Sequence, residues 1–230
     1  MADDENRLIM RLPRSDRLSL LAACDRTKLL RGDVMGGRGQ PTRNVYFPTE
    51  GFISLIAPLD GEPVLEVGMV GREGMLGAHL ALGASSDPLH ALVQGPGTAW
   101  RLSARAFRSE LVRSRPLRVG INRYIYVLMA QLASSAVCLR FHLIGPRLAR
   151  WLLMSQDRTH SQDFYVTQEF LSYMLGVRRV GVTAAAGELQ RDGLIKYSRG
   201  HVTILDRKRL EAASCSCYRT DCQTYSKLLS

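Results

Sequence analysis

The stretch from Thr167 to Ile204, TQEFLSYMLGVRRVGVTAAAGELQRDGLIKYSRGHVTI, leaves the chain least freedom. Thr167 can cap a helix, because its hydroxyl accepts from the free N–H groups of the first turn. Phe170, Leu171, Met174 and Leu175 recur at helical spacing and make one apolar stripe. Gly176 then ends that helix, since glycine enters the left-handed region without a Cβ clash. Val177 fits the angle before a second helix from about Arg178, with Val182, Ala185, Ala186 and Leu189 on its inner face. Arg178, Arg179, Thr183, Glu188 and Gln190 fall on the outer face. Gly193 stops it. Ile195 and Tyr197 alternate with Lys196 and Ser198, and Val202 and Ile204 alternate after an Arg199-Gly200 turn, as in a half-buried hairpin.

Two helices around a glycine turn, followed by a hairpin with a basic tip, spell a winged helix-turn-helix. Such a unit sets its second helix in the major groove, which implies double-stranded DNA as a partner. A net charge of +10 and a pI near 9.8 also favour a polyanionic partner, although the charge is not confined to this half. The 230 residues have room for two domains, and 46% hydrophobic with 23% charged residues describes a soluble globular chain. The start, MADDEN, is acidic, and no long uninterrupted apolar run stands out. The expectation is a cytoplasmic protein without a membrane partner. Five cysteines, an odd number, do not suggest a disulfide framework.

Upstream, Leu8 to about Lys28 reads as helix, broken at its start by Pro13. From Leu29 to Leu102, short apolar runs at Val45, Phe52, Val64, His90 and Thr98 alternate with glycine and proline. Many short strands with glycine turns predict a β-sandwich or barrel. Ser103 caps a helix that ends near Pro116. The next helix, about Leu117 to Leu139, carries Ile121, Ile125, Leu128, Leu132, Ser135 and Leu139 at alternating steps of four and three. This is the spacing of a coiled-coil seam, and it predicts a homodimer. A twofold dimer would place its reading helices about 34 Å apart, one turn of the duplex. Leu148, Trp151, Leu152 and Leu153 predict a helix beneath the DNA-reading unit, and Asp206 caps a last short helix before a polar tail.

This order of parts resembles the Crp/Fnr superfamily of bacterial transcriptional regulators over almost the whole chain. LLRGDVMGGRGQPTRNVYFPTEGFISLI is similar to the opening strands of that family's sensor barrel, and VGREGMLG to its ligand-cassette segment. FLSYMLGVRRVGVTAAAGELQRDGLI is similar to its DNA-reading unit. The resemblance implies an α+β fold: an N-terminal jelly-roll barrel of the cyclic-nucleotide-binding kind, a long dimerisation helix and a C-terminal winged helix-turn-helix. The corresponding divisions are 1–116, 117–143 and 144–230. It also implies a homodimer on a roughly palindromic promoter site, and RNA polymerase as a partner if the regulator is an activator.

Several positions depart from the family. Where cyclic-AMP-binding members have a ribose-binding glutamate and then an arginine-serine pair for the phosphate, this chain has Met75, and Asp87 with Pro88. Methionine accepts a sugar hydroxyl poorly and aspartate repels phosphate, so cyclic AMP in the usual mode is not expected. The effector, a small molecule or a redox signal, is unassigned. Arg72, Glu73, Met75, Tyr124 and Leu128 are the candidate pocket residues. Iron–sulfur members carry an N-terminal cysteine cluster, but that region here has only Cys24; His79 or His90 would be the choice for a haem ligand.

In the reading helix the family's arginine is kept as Arg179, while Val180 and Ala184 replace the other two base-reading residues. Arg179 can span guanine O6 and N7, and Val180 can meet a thymine methyl. Arg178, Thr167, Gln168, Ser198 and Arg199 are expected to hold phosphates, and Thr183 completes the candidate set.

Cys215, Cys217 and Cys222 form a C-x-C-x4-C pattern without a clear fourth ligand, and Cys138 has no definite place beside them. The pattern reads as reduced, inert thiols rather than a metal site, with redox sensing as the alternative. An enzyme is not expected. The five histidines, His79, His90, His142, His160 and His201, form no H-x-H pair, and there is no G-x-S-x-G elbow or P-loop. A metal-dependent β-barrel enzyme and a ligand-free protein-interaction module remain the competing classes.

Overall fold

A computed structural model describes residues 5–59 and 62–229, so the first four residues of the acidic start lie outside the described residues. Asn6 opens helix α1 (Arg7–Met10) by accepting from the Leu8 and Ile9 N–H groups. Its amide donates to the Pro48 and Gly74 carbonyls at 2.9 and 2.7 Å, fixing the N-terminus on the sheet. Helix α2 (Arg14–Ala22) ends earlier than expected, because Asp25–Leu29 is strand β1, paired with Gly97–Arg101. A long-range ladder overrides the local preference of that segment.

Strands β2 (Val34–Gly36), β3 (Asn44–Leu59), β4 (Glu62–Val70) and β5 (His90–Ser103) follow, with a 3₁₀ turn at Ala78–Leu82. The antiparallel order is β1-β5-β3-β4, with β2 on β5. The sheet is jelly-roll-like and does not close into a complete barrel. Expected short strands are fused: the runs at Val45 and Phe52 are both β3, and those at His90 and Thr98 are both β5. Glycine bends these strands instead of separating them. Gly51 has φ +75°, and a Cβ there would lie 2.3 Å from the Gly95 carbonyl oxygen. A Cβ on Gly97 would lie 2.2 Å from the Glu50 oxygen. Two backbones thus cross at a point that only glycine allows.

Ser103 caps α3 (Ala104–Arg113), and Ser114 caps α4 (Arg115–Phe141), accepting from the Leu117 N–H at 3.1 Å. Pro116 lies in the first turn of α4, where a missing N–H is harmless. Contrary to the first impression of the sequence, α4 is long and apolar enough to cross a membrane by length and composition. Leu117, Ile121, Tyr124, Val127, Gln131, Ser135 and Cys138 of this helix are buried within the chain. Phe47, Phe107, Leu117, Ile121 and Tyr124 join sheet, α3 and α4 in one core.

The C-terminal half runs α5 (Ile144–Thr159), β6 (Asp163–Tyr165), α6 (Gln168–Leu175), α7 (Arg179–Arg191), β7 (Ile195–Ser198), β8 (His201–Ile204) and α8 (Arg207–Ala213). A last helix, α9 (Ser216–Leu229), occupies what the sequence suggested was a polar tail. Its Tyr218 and Asp221 are buried, and Asp221 accepts from Arg150 of α5 at 2.7 Å. A second core cluster joins Phe52, Ile56 and Met69 of the sheet to Leu148 and Leu152 of α5 and to Leu171, Val182 and Ala185 of α6 and α7. The DNA-reading unit therefore shares its interior with the sheet.

Candidate nucleic-acid interface

The reading unit is built by local chemistry. Thr167 caps α6, its hydroxyl accepting from the Phe170 N–H at 3.1 Å. Gly176 sits at φ 60°, ψ 45°, and the Val177 N–H returns to the Ser172 carbonyl at 2.9 Å, closing the turn. Val182, Ala185, Ala186 and Leu189 of α7 are buried, which turns Arg178, Arg179, Val180, Thr183 and Ala184 to the surface. Val180 is 73% exposed on that face. Arg147, buried at the start of α5, donates to the Leu175 carbonyl and secures the end of α6.

The wing is a two-residue hairpin with Arg199 at φ 50° and Gly200 at φ 83°. It has a third strand that sequence reading missed, because β6 pairs with β8. A Cβ on Gly200 would lie 2.6 Å from the Tyr165 ring, so strand and turn are fitted to each other. Tyr197 donates its hydroxyl to the Val166 carbonyl at 2.6 Å, and Gln190 accepts from the Tyr197 N–H at 2.7 Å. These bonds hold the wing to α7 and to the segment that leads into α6. Ser198 and Arg199 are exposed at its tip. Of the expected DNA set, Gln168 and Thr183 bond each other across the two helices at 2.7 Å, which gives them a structural role in the free protein.

The candidate effector set divides. Met75 and Tyr124 lie in the core, and a Cβ on Gly74 would meet the Tyr124 ring at 2.2 Å. Burial, chiefly, raises the Tyr124 hydroxyl well above its ordinary pKa. Leu128 is half-buried against the same core. Arg72 and Glu73 line a cavity of about 660 Å³ bounded by α1, α5 and α9. There Glu73 pairs with Arg158 of α5 at 2.7 Å and accepts from the Gly71 N–H at 3.1 Å. None of the five lines the cavity of about 470 Å³ beside the sheet, whose walls include Thr42, Tyr46, His79, Asp87 and Leu89. His79 there bonds Thr42 at 2.8 Å and Asp87 at 3.0 Å. Burial opposes ionisation of Asp87, but bonds from His79 and the Leu89 N–H outweigh it and hold the carboxyl below its ordinary pKa.

The expected coiled-coil seam is also redistributed. Ile121 and Ser135 face their own chain, Ser135 donating to the Val67 carbonyl at 3.0 Å. Ile125, Leu128 and Leu139 are half-buried, and only Leu132 is exposed, at 40%. Within the chain, Ile121 and Ser135 are thus taken up, while Leu132 stays open and the other three are half-covered. A different heptad line on α4 stays open: Val119, Tyr126 and Ala133 at intervals of seven, with Met129 and Ala136 three residues after Tyr126 and Ala133. Tyr126 is 60% and Met129 63% exposed.

Glu66 of β4 lies where the sheet meets α5. It accepts from the Trp151 indole N–H at 2.9 Å and from the Ser54 hydroxyl. Burial pushes its pKa from 4.5 up to about 7, against the pull of those bonds and of Arg158 and Arg150. The folded chain thus holds this proton more tightly than the unfolded chain, and stability falls as pH rises from 4.5 to about 7. Glu66→Gln is expected to raise stability by about 1–2 kcal/mol near pH 8 and to have little effect near pH 4. Urea midpoints of both proteins across that range provide the check.

Sequence reading also left Cys138 and His142 apart from the C-terminal cysteines. The structure gathers Cys138, His142, Cys215 and Cys217, whose donor atoms all lie within 4.8 Å of one another. No local pattern signals a pairing across 77 positions of chain.

Residues 146–213 match the family model described as the Crp-like helix-turn-helix domain. Among solved structures, a transcriptional regulator assigned to the crp/fnr family from Eubacterium rectale superposes with a TM-score of 0.70 at 18% identity, covering 91% of this chain and 99% of that one. FixK2 from Bradyrhizobium japonicum gives 0.70 at 13% identity, covering 84% and 98%. CLP of Xanthomonas campestris, described as a c-di-GMP-responsive global regulator, gives 0.67 at 19%, covering 84% and 100%. No curated protein matches the chain. Residues 146–213 thus match the Crp-like helix-turn-helix domain, within a chain that shares the fold of these solved structures.

Proposed function

We propose that this chain is a sequence-specific transcriptional regulator of the Crp/Fnr type, acting as a cytoplasmic homodimer on a roughly palindromic DNA site. One observation carries the reading: α7 turns Arg178, Arg179 and Val180 outward on a unit of the Crp-like family, beside an exposed Ser198-Arg199 wing tip. Arginine supplies guanine readout and phosphate contact, and the bare valine suits a thymine methyl. Thr167 and Gln168, at the start of α6, complete the phosphate-holding set. With Val180 and Ala184 in place of two family base-reading residues, the half-site differs from the family's common one.

Selection of bound DNA from a random pool at two salt concentrations tests this directly. Two half-sites spaced by a helical turn, with binding that weakens steeply in salt, are expected. Unselected sequence, or single half-sites only, would refute the reading.

The homodimer forms along the open heptad line of α4, through Val119, Tyr126, Met129, Ala133 and Ala136. Met129→Glu is expected to leave the fold intact and convert dimer to monomer, as read by sedimentation equilibrium. A variant that stays dimeric would rule out this seam. The sensor input enters the cavity walled by Thr42, His79 and Asp87. The protein acts by binding rather than by catalysis, and RNA polymerase is its partner where it activates.

A further inference from the structure

Three thiols and an imidazole, drawn from two distant parts of the chain, converge where α4 gives way to α5. Cys138 lies in the last turn of α4, and His142, one helical turn on, is its C-cap. Cys215 precedes α9, and Cys217 lies in the first turn of that helix. The Cys138 and Cys215 sulfurs are 3.5 Å apart, and the Cys217 sulfur is 3.6 Å from His142 Nδ1. All four donor atoms fall within 4.8 Å of one another.

These separations can be compared with what a metal requires. Tetrahedral bonds of about 2.3 Å to thiolate and 2.0 Å to imidazole place sulfurs ~3.8 Å apart and sulfur ~3.5 Å from nitrogen. The 3.5 and 3.6 Å separations lie within a few tenths of an ångström of those values, and the widest in the set, up to 4.8 Å, closes by about 1 Å when an ion is bound. The 3.5 Å between the Cys138 and Cys215 sulfurs is a contact of two free thiols, well beyond the roughly 2.05 Å of a disulfide, so both are available as ligands in this state. The three cysteines are buried and form a cluster of their own, while His142 is half-exposed and leaves an edge for entry.

The surroundings hold both halves of the set in place. The Cys215 N–H donates to the Pro146 carbonyl at 3.3 Å, and the Arg150–Asp221 pair at 2.7 Å pins α9 to α5. Arg147 and Arg150 line a small cleft together with Cys138. Arg150 is already answered by Asp221, so it is Arg147 whose charge offsets the net negative charge that three thiolates around a dication would leave.

We propose that Cys138, His142, Cys215 and Cys217 bind one zinc-class divalent cation in tetrahedral geometry, and that the bound ion clasps the C-terminal helix to the end of the central one. Thiolate and imidazole donors select such an ion over magnesium or calcium. Binding releases the thiol protons to solvent and transfers no electrons. The clasp closes on the junction that leads into the DNA-reading unit, so occupancy stiffens the link between the two halves.

The test uses the full-length protein, reduced and stripped with a chelator, then titrated with cobalt(II) as the spectroscopic probe. One cobalt per chain is expected, with the intense visible bands of tetrahedral cobalt and a near-ultraviolet thiolate charge-transfer band. One equivalent of zinc displaces it and raises the thermal midpoint of the chain. Cys215→Ser/Cys217→Ser loses these bands and the zinc-induced rise, whereas Cys222→Ser keeps both. Should the double variant fold poorly by circular dichroism, His142→Ala, altered at the half-exposed ligand, is expected to weaken binding and change the spectrum. The proposal is overturned by octahedral or substoichiometric cobalt, by spectra unchanged in both ligand variants, or by loss of binding in Cys222→Ser. It also fails if the reduced protein takes up no metal and air oxidation instead joins Cys138 to Cys215. None of these readouts involves DNA, so the outcome is independent of the regulatory role.

Discussion

Glu73→Ala is expected to destabilise the folded chain by about 3–5 kcal/mol, the usual cost of stripping one partner from a buried ion pair. Arg158 is almost fully enclosed, and the Glu73 carboxylate, 2.7 Å away, is the negative charge that answers it. Burial alone would lower the guanidinium's pKa; Glu73, foremost among the nearby groups, reverses that and raises it. Removing the carboxylate leaves a largely enclosed cation whose remaining answer is Asp157 and the cavity beside it. The Met154 carbonyl, which accepts from the same guanidinium at 2.9 Å, supplies only a dipole. Replacing both members, as in Glu73→Leu/Arg158→Met, should recover much of the loss, because no charge is then stranded. Urea unfolding of the single and double variants measures the difference. A Glu73→Ala protein within about 1 kcal/mol of the parent would show that the pair is not what holds this junction. The pair bridges the loop after β4 and the last turns of α5, so its loss should also loosen the sheet from the DNA-reading unit.

Arg179→Ala is expected to weaken binding to the selected DNA site by about 1–3 kcal/mol, roughly 5- to 150-fold, and to relax base preference at one position of each half-site. Arg179 is exposed and its side chain closes no core contact, so stability should be unchanged. Competition binding with single-base variants of the site separates readout from charge. If affinity falls equally for every variant, Arg179 holds phosphate. If affinity and preference both stay as they were, the residue is not at the interface.

The reading unit was legible because its determinants are local. A threonine cap, a glycine in the left-handed region, apolar positions at helical spacing and a two-residue hairpin turn each act within a few residues of themselves. The sheet was legible in kind but not in detail. Gly51, Gly95 and Gly97 looked like turns between strands, yet they mark where β3 and β5 cross too closely for any Cβ. The line of Ile121, Ile125 and Leu128 announced a buried helix face without saying which surface would bury it. Helix α9, invisible as a helix in a polar sequence, takes part of that role. The cysteine site failed for a related reason: its ligands are set by the packing of α9 on α4, which no spacing rule encodes. The same limit applied to Glu73, whose partner lies on another element far along the chain.

The meeting of α9 with the N-terminal core has a consequence for how the molecule is made. Leu229 lies against the cluster that contains Leu8, Leu12, Phe107 and Ile121. A nascent polypeptide emerging in order must therefore hold its earliest helices and its sheet with one seam unsealed until Leu229 has left the ribosome. Termination a few turns before that leucine would leave a greasy edge exposed to neighbouring ribosomes' products.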